Sequence, residues 1–182
     1  MIRAFIALDL PDEVRSALAI QQFLLPLPLK VPPDAFHMTL AFLGEVADTT
    51  LEAAHEALCE IKASAFRLQL SGLGLFGKDR PRAVWVGSVS SVPLMTLQSR
   101  VETAVRSVGC KVDHRRFVPH VTLGRFKPPP LAEALRIERA VAEGAAFAPP
   151  PFEVNRFWLF ESHLGRSGPR YEKLAGYDLI SG

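Results

Sequence analysis

Apolar positions in the first half of the chain recur with two different periods. Short apolar or alternating runs bounded by proline and glycine are typical of strands, whereas apolar positions three and four residues apart are typical of one face of a helix. The pattern predicts strands over residues 2–8, 36–43, 66–73 and 83–89, and helices over 12–23 and from an N-cap at Asp48 to about 62. A turn is expected over 77–81, where glycine and proline punctuate the chain.

The same order of elements begins again after a linker at residues 88–93. It predicts a helix whose apolar face starts at Leu94 and stops at Gly109, then a strand over 117–126, a helix over 131–143, and strands over 152–160 and 171–179. The repeated order indicates a degenerate internal duplication. It predicts an α+β fold of two pseudo-symmetric lobes, each an antiparallel sheet flanked by helices, with an active-site cleft between them.

The composition is that of one globular domain over residues 1–182, with its halves meeting near 88–93. Of the residues, 48% are apolar and 22% are charged, which excludes a disordered or collagenous chain. Two cysteines, Cys59 and Cys110, are too few for a disulfide framework or a cysteine-rich zinc site. The formal net charge of +2 favours a small anionic group or the end of a nucleic acid over a wrapped duplex.

The sequence offers no membrane span, because Pro26 and Pro28 break its richest apolar stretch. Its first ten residues carry Arg3 and Asp9 and lack the small-residue cleavage site of a signal peptide. We therefore expect a cytoplasmic monomer that does not bind membranes.

The strongest chemical signal is a pair of matching motifs, one in each half. The chain reads HMTL from His37 and HVTL from His120, and the next predicted helix starts eleven positions after each histidine. On a strand, residues i and i+2 share a face, so His37 lies with Thr39 and His120 with Thr122. A pseudo-twofold axis would set the two polar faces against each other across a cleft.

Paired imidazoles and hydroxyls suit the cleavage of a phosphodiester. One imidazole can take a proton from the attacking oxygen while the other protonates the leaving oxygen, and both titrate near neutral pH. Threonine hydroxyls can donate to the phosphate oxygens. Arg125 follows Thr122 by three residues and lies on the opposite face of an ideal strand, so it reaches a phosphate only if a bulge re-aims it.

Chance occurrence and metal binding are the other interpretations of these residues. A single His-x-Thr occurs by chance, but two copies with the same leucine and the same helix offset favour function. His55, His114 and His163 lack this context and are expected to be a solvated helix residue and two loop residues. Two histidines could also hold zinc, yet no carboxylate or thiol accompanies them at ligand spacing, so we expect no metal and no cofactor.

Two aromatic residues near the motifs are candidates for stacking on a nucleobase. Phe42 and Trp85 lie in apolar strands, which favours packing in the core for both.

The motifs and their flanking segments resemble the two-histidine (2H) phosphoesterase superfamily and, within it, the RNA 2′,3′-cyclic phosphodiesterase branch of LigT-like or ThpR proteins. The matching segments are RAFIAL at 3–8, HMTLAFLG at 37–44, PHVTLGR at 119–125 and LFES at 159–162. They occur in order over nearly the whole chain.

The resemblance implies hydrolysis, without a metal, of a terminal 2′,3′-cyclic phosphate to a 2′-phosphomonoester on RNA ends or nucleotides. It implies that His37 and His120 are the acid and base, with His37 protonating the leaving 3′ oxygen, and that Thr39, Thr122 and Arg125 hold the phosphate. Some relatives also join RNA ends through 2′-5′ linkages. The alternatives are a module that binds RNA ends or nucleotides without turnover, and a 2H phosphodiesterase acting on another cyclic phosphate.

Overall fold

The fold is known from a computed structural model, which describes residues 1–77, 80–112, 116–165 and 168–180. Within these described residues, four α-helices and two short 3₁₀ turns lie between the strands. The helices are α1 (Asp12–Leu24), α2 (Asp48–Cys59), α3 (Val92–Ser107) and α4 (Leu131–Glu143), and the 3₁₀ turns are Pro33–Ala35 and Gly144–Ala146. None of these helices is long and apolar enough to cross a membrane.

Most strands belong to one antiparallel sheet, and two short ones form a separate pair. The strands are β1 (Ile2–Asp9), β2 (His37–Val46), β3 (Phe66–Leu68), β4 (Leu70–Phe76), β5 (Ala83–Ser88), β6 (His120–Arg125), β7 (Phe152–Val154), β8 (Arg156–Gly165) and β9 (Gly168–Asp178). The large sheet has the order β4-β5-β6-β2-β1-β8-β9, and β3 pairs with β7. The predicted α+β class with antiparallel sheet and helices is thereby confirmed.

The two halves of the chain exchange strands within the sheet. On one side of the sheet, β1 and β2 of the first half lie with β8 and β9 of the second, joined by the pairing of β1 with β8. On the other side, β4 and β5 of the first half lie with β6 of the second, joined by the pairing of β5 with β6. The motif strands β2 and β6 meet in the middle, where Met38 is the partner of Val121. The boundary between the two groups of strands therefore lies between β2 and β6, which carry the two motifs.

The helices pack on one face of this sheet and leave the other face to the polar motifs. Core side chains on the helix side include Ile6, Leu40, Val86 and Leu123, each at most 3% exposed. The opposite face carries its own small cluster of Phe5, Ala7 and Phe160, with Trp158 and Tyr171 packed against it.

Several predicted boundaries were wrong, and two of the predicted strands are divided where the chain makes contacts distant in sequence. The strand predicted over 66–73 is two strands, β3, which pairs with β7, and β4 of the large sheet. Between them, the Gln69 side chain donates to the carbonyls of Leu70 and Pro149. The strand predicted over 152–160 divides at Asn155, whose carbonyl accepts from Leu179.

The boundaries of α2 and β6 also differ from the prediction. Ala47, not Asp48, is the N-cap of α2. This helix ends at Cys59 rather than near 62, because the chain turns to pair Ala63 and Ala65 with Ile180. The strand predicted from 117 begins at His120.

Candidate active site

The first motif presents His37 and Thr39 on the face of β2 that is free of helices. Both residues are half-buried, while Met38 and Leu40 between and beyond them are buried on the helix side. Nδ1–H of His37 donates to the carbonyl oxygen of Ala35 at 2.8 Å. This fixes the neutral ring with Nε2 unprotonated, and the Thr39 hydroxyl lies 3.1 Å from that nitrogen, where it can donate.

The second motif repeats this arrangement on β6. His120 and Thr122 are half-buried and Val121 and Leu123 are fully buried. Nδ1–H of His120 donates to the carbonyl oxygen of Val118 at 2.6 Å, again two residues upstream. The same tautomer follows, with Nε2 as the nitrogen available for chemistry.

Pairing of β2 with β6 brings the four motif residues together. Because Met38 opposes Val121 in an antiparallel pair, His37 lies beside Thr122 and Thr39 beside His120. Each imidazole thus has a threonine from its own strand and another from the neighbouring strand.

A bulge brings Arg125 to the same face. Val84 pairs with Gly124 but Trp85 pairs with Thr122, so β6 carries one extra residue between them. Leu123 and Gly124 are both buried and Arg125 is exposed again, on the side of the motifs. The condition that the sequence set for Arg125 to reach a phosphate is met.

The bulge is held by a loop that crosses the end of β6. Val31 donates to the carbonyl of Leu123 at 2.9 Å, and Lys30 forms a bridge with Gly124. A Cβ at Gly124 would lie 2.9 Å from both the Leu27 side chain and the Leu29 carbonyl oxygen, so only glycine fits there.

Aromatic rings flank both histidines. Tyr171 meets His37 edge-on at 5.0 Å between ring centroids, and Phe5 lies at 4.8 Å. Phe76 meets His120 edge-on at 4.9 Å, and Trp85 lies at 6.0 Å. The rings limit how far either imidazole can tilt.

The expectation of core packing for Phe42 and Trp85 was wrong. Phe42 is 43% exposed beneath the Arg3 guanidinium, because Gly44, at a φ of 70°, and the irregular pairing of β1 with β2 turn it out of the core. Trp85 lies on the motif face beside His120, flat over Gly74, where a Cβ would be 2.3 Å from the indole ring.

Three charged residues beside His37 were not found by sequence reasoning. Asp9 is the register partner of His37 and accepts from Arg15 at 2.7 Å and from Lys173 at 2.5 Å. They border a cavity of about 500 Å³ that also includes Tyr171. They come from β1, α1 and β9, so no local pattern connects them in the sequence.

The two histidines share a lowered pKa for related reasons. Burial lowers the pKa of His37 to about 4; its hydrogen bond to Ala35 opposes this, and the charges of His120 and Arg125 add to it. Burial also lowers the pKa of His120, the bond to Val118 raises it and the charge of Arg125 lowers it. Both rings are therefore neutral in the free protein at neutral pH.

The other histidines lie outside this constellation. His55 is exposed on α2 and bonds the Tyr177 hydroxyl at 2.9 Å. His163, predicted in a loop, lies on β8 within 3.4 Å of Glu172, because β8 and β9 extend their pairing beyond the predicted strand ends. His114 lies outside the described residues. Among the residues that the structure describes, no three His, Cys, Asp or Glu side chains are grouped to hold a metal ion.

The paired motifs on one sheet face define a two-histidine phosphoesterase type of site, and comparison with known proteins agrees. The model of the 2'-5' RNA ligase superfamily matches residues 10–166. The RNA 2',3'-cyclic phosphodiesterase of Aeropyrum pernix is 38% identical over 154 residues, covering 81% of this chain and 84% of that protein. Its Escherichia coli counterpart is 30% identical, covering 97% and 96%.

A solved structure extends the likeness to the fold. The crystal structure of E. coli LigT complexed with 3'-AMP has a TM-score of 0.81 and 28% sequence identity, covering 98% of each chain. The chain belongs to the 2'-5' RNA ligase superfamily. The family resemblance stated from the motifs is confirmed.

Proposed function

We propose that the protein hydrolyses the 2′,3′-cyclic phosphate at the end of an RNA to a 2′-phosphomonoester, without a metal. The observation that carries the proposal is the pairing of Met38 with Val121, which sets His37 and His120 on one face of adjacent strands. Relatives named RNA 2',3'-cyclic phosphodiesterase support the substrate.

In the proposed reaction, water attacks phosphorus and the bond from phosphorus to the 3′ oxygen breaks. His120 takes a proton from the water through Nε2, and protonated His37 gives one to the departing 3′ oxygen. The step leaves His37 neutral and His120 protonated, and proton exchange with water restores the starting states before the next turnover. We assign His37 as the acid because it faces the Asp9 carboxylate, which favours the protonated ring, although burial still holds the pKa of His37 at about 4 in the free protein.

In this scheme, the negative charge of the substrate affects the protonation of the imidazole that acts as acid. Both imidazoles are neutral in the free protein, yet the reaction needs one of them protonated. The anionic cyclic phosphate, bound by Thr39, Thr122 and Arg125, would favour the protonated form of the acid. Binding and protonation are therefore coupled.

The name of the superfamily favours a second activity at the same site. If the 5′-hydroxyl of a second RNA replaces water as the nucleophile, the base takes its proton, the bond from phosphorus to the 3′ oxygen breaks, and the two RNA ends are joined through a 2′-5′ linkage. Joining would need two RNA ends in the cleft at once, so we expect hydrolysis to dominate in dilute RNA.

We also propose that the protein acts as a cytoplasmic monomer on RNA ends. One chain carries both imidazoles, so the site needs no residue from a second copy. Activity that elutes with the monomer in gel filtration and is proportional to protein concentration would support this. Activity confined to a dimer peak would contradict it.

The proposed function is tested with an RNA oligonucleotide ending in a 2′,3′-cyclic phosphate, in the presence of a chelator. We expect turnover to a 2′-phosphate, and a bell-shaped kcat/KM against pH. The optimum of such a bell lies midway between the two apparent pKa values, so two lowered histidines place it below pH 6.5. Binding without turnover, or activity lost to the chelator and restored by a metal, would contradict the proposal.

A further inference from the structure

We propose that Arg15 is a positioning residue for His37, acting through the turn that carries its hydrogen-bond acceptor. The inference rests on the proposed function for its effect on turnover, but its structural part does not. Arg15 lies on α1 and does not touch the motif residues by any described contact.

The Arg15 guanidinium joins three segments of the chain. It donates to the Pro33 carbonyl at 2.6 Å and to the Phe36 carbonyl at 3.1 Å. It also donates to Asp9 Oδ1 at 2.7 Å and to the Leu10 carbonyl at 3.1 Å. Its side chain is only 16% exposed, so these bonds are largely shielded from competing water.

Two of these bonds enclose the residue that orients His37. Pro33 begins and Ala35 ends the 3₁₀ turn before β2, and Phe36 follows it. Because Arg15 holds the carbonyls on both sides of Ala35, it fixes the direction of the Ala35 carbonyl, which accepts Nδ1–H of His37 at 2.8 Å. That bond selects the tautomer and leaves Nε2 free to face the cleft.

The other two bonds fix the neighbour of His37 on β1. Asp9 is the register partner of His37, and Lys173 holds its second carboxylate oxygen at 2.5 Å. A planar guanidinium can reach Asp9 and both turn carbonyls at once, which a single ammonium group cannot do. The same side chain therefore sets both the acceptor and the nearest carboxylate of one imidazole.

Substitution of Arg15 by methionine separates this role from a purely structural one. Methionine keeps an unbranched apolar side chain and removes the guanidinium group with its hydrogen-bond donors. Nitrogen NMR of the imidazole rings distinguishes N–H from unprotonated nitrogen, and we expect wild-type His37 to hold its proton on Nδ1 at neutral pH. In Arg15→Met the ring should populate both tautomers, while His120 in the same molecule stays unchanged.

The kinetic expectation is a fall in kcat with little change in KM. A ring that is misoriented by a fraction of an ångström should cost about 10- to 100-fold in kcat, since phosphate binding remains. Arg100→Met is the matched control, because Arg100 also donates a guanidinium bond to a backbone carbonyl, that of Lys62, on the helix side of the sheet. It should leave the His37 signals and kcat as in the wild type.

Three results would overturn the inference. One is an unchanged His37 tautomer in Arg15→Met, and another is an equal change in the tautomer of His120. The third is a decrease in kcat that is no larger than the decrease in the fraction of folded protein. If Arg15→Met does not fold, Arg15→Lys, which keeps the charge but not the guanidinium group, is measured in its place with the same expected shift. The tautomer measurement needs no substrate, so it decides the inference even if the protein proves inactive on cyclic phosphates.

Discussion

His37 and His120 are held in the same way but have different neighbours. Each donates Nδ1–H to the carbonyl two residues upstream, and each meets one aromatic ring edge-on. However, the register partner of His37 is Asp9, whereas that of His120 is Gly87. A carbonyl two residues upstream therefore orients each imidazole in the same way, and the next strand decides which charge the ring faces.

In the proposed mechanism, this difference distinguishes two identical groups. The Asp9 carboxylate on the neighbouring strand raises the pKa of His37, although burial still holds it at about 4, whereas the glycine beside His120 provides no charge. An acid and a base made from one residue type need this kind of unequal environment. The proposed roles are tested by removing either ring, by removing the need for an acid, or by removing the Arg125 charge that acts on both rings.

The largest effect is expected from removing either imidazole. His37→Ala and His120→Ala should each lower kcat by about 10² to 10⁴, the usual contribution of one positioned acid or base. The double variant should lose much less than the product, because each turnover needs both groups. Steady-state rates on the cyclic phosphate measure this, and His55→Ala and His163→Ala are the controls. A control as damaging as either motif variant would show that the site lies elsewhere.

The next largest effect separates acid from base. If sulfur replaces the bridging 3′ oxygen of the cyclic phosphate, the leaving group departs as a thiolate and needs no proton. His37→Ala should then recover most of its loss, about 10²-fold, whereas His120→Ala should not. Rescue of His120→Ala instead would reverse the assignment. Rescue of neither would mean that no histidine protonates the leaving group.

Removing the shared cation should have a smaller effect on both rings. Arg125→Met should weaken substrate binding about 10- to 100-fold, since hydrogen bonds to charged groups contribute about 1.5–3 kcal/mol. The Arg125 charge lowers the pKa of His37 and of His120, so its loss should raise both and move the optimum of kcat/KM to higher pH. Arg156→Met, on the exposed ion pair with Asp178, is the control. An optimum that stays in place would contradict the position found for Arg125.

The sequence could predict the motif strands but not everything around them. The period of two and the proline punctuation are local signals, and they correctly placed His37 with Thr39 and His120 with Thr122 on one face each. The sequence cannot predict the bulge at Leu123, because the bulge depends on the loop at 27–31, which crosses Gly124 and lies nearly a hundred residues earlier in the chain. The internal duplication stays a prediction.

The charged neighbours of His37 could not be predicted for a related reason. Asp9, Arg15 and Lys173 meet only because β1 pairs with both β2 and β8, and β9 pairs with β8. Those pairings join the two ends of the chain. No residue spacing within one segment predicts such a contact. By contrast, the two-residue spacing within HxTx is enough to predict that its histidine and threonine lie on the same face of a strand.

The smallest effect concerns the stability of the fold in acid. Burial holds the pKa of His37 near 4, whereas an unfolded histidine titrates near 6.5. Between these values the unfolded chain binds a proton that the folded chain does not, so stability falls as the pH falls through this window. For His37 alone we expect a loss of about 1 to 2 kcal/mol between pH 7 and pH 5.

A variant without the His37 imidazole should lose this contribution to the dependence of stability on pH. His37→Gln should show a flatter free energy of unfolding against pH from 7 to 5, measured by denaturant titration at each pH. His163→Gln, on the exposed end of β8, removes a histidine without that burial and should not flatten the profile. If His37→Gln kept the full wild-type slope, the ring would be more solvated than its position between Phe5 and Tyr171 indicates. The scheme in which bound phosphate supplies the protonated imidazole would then lose its basis, because a solvated His37 would carry a proton at mildly acid pH without substrate.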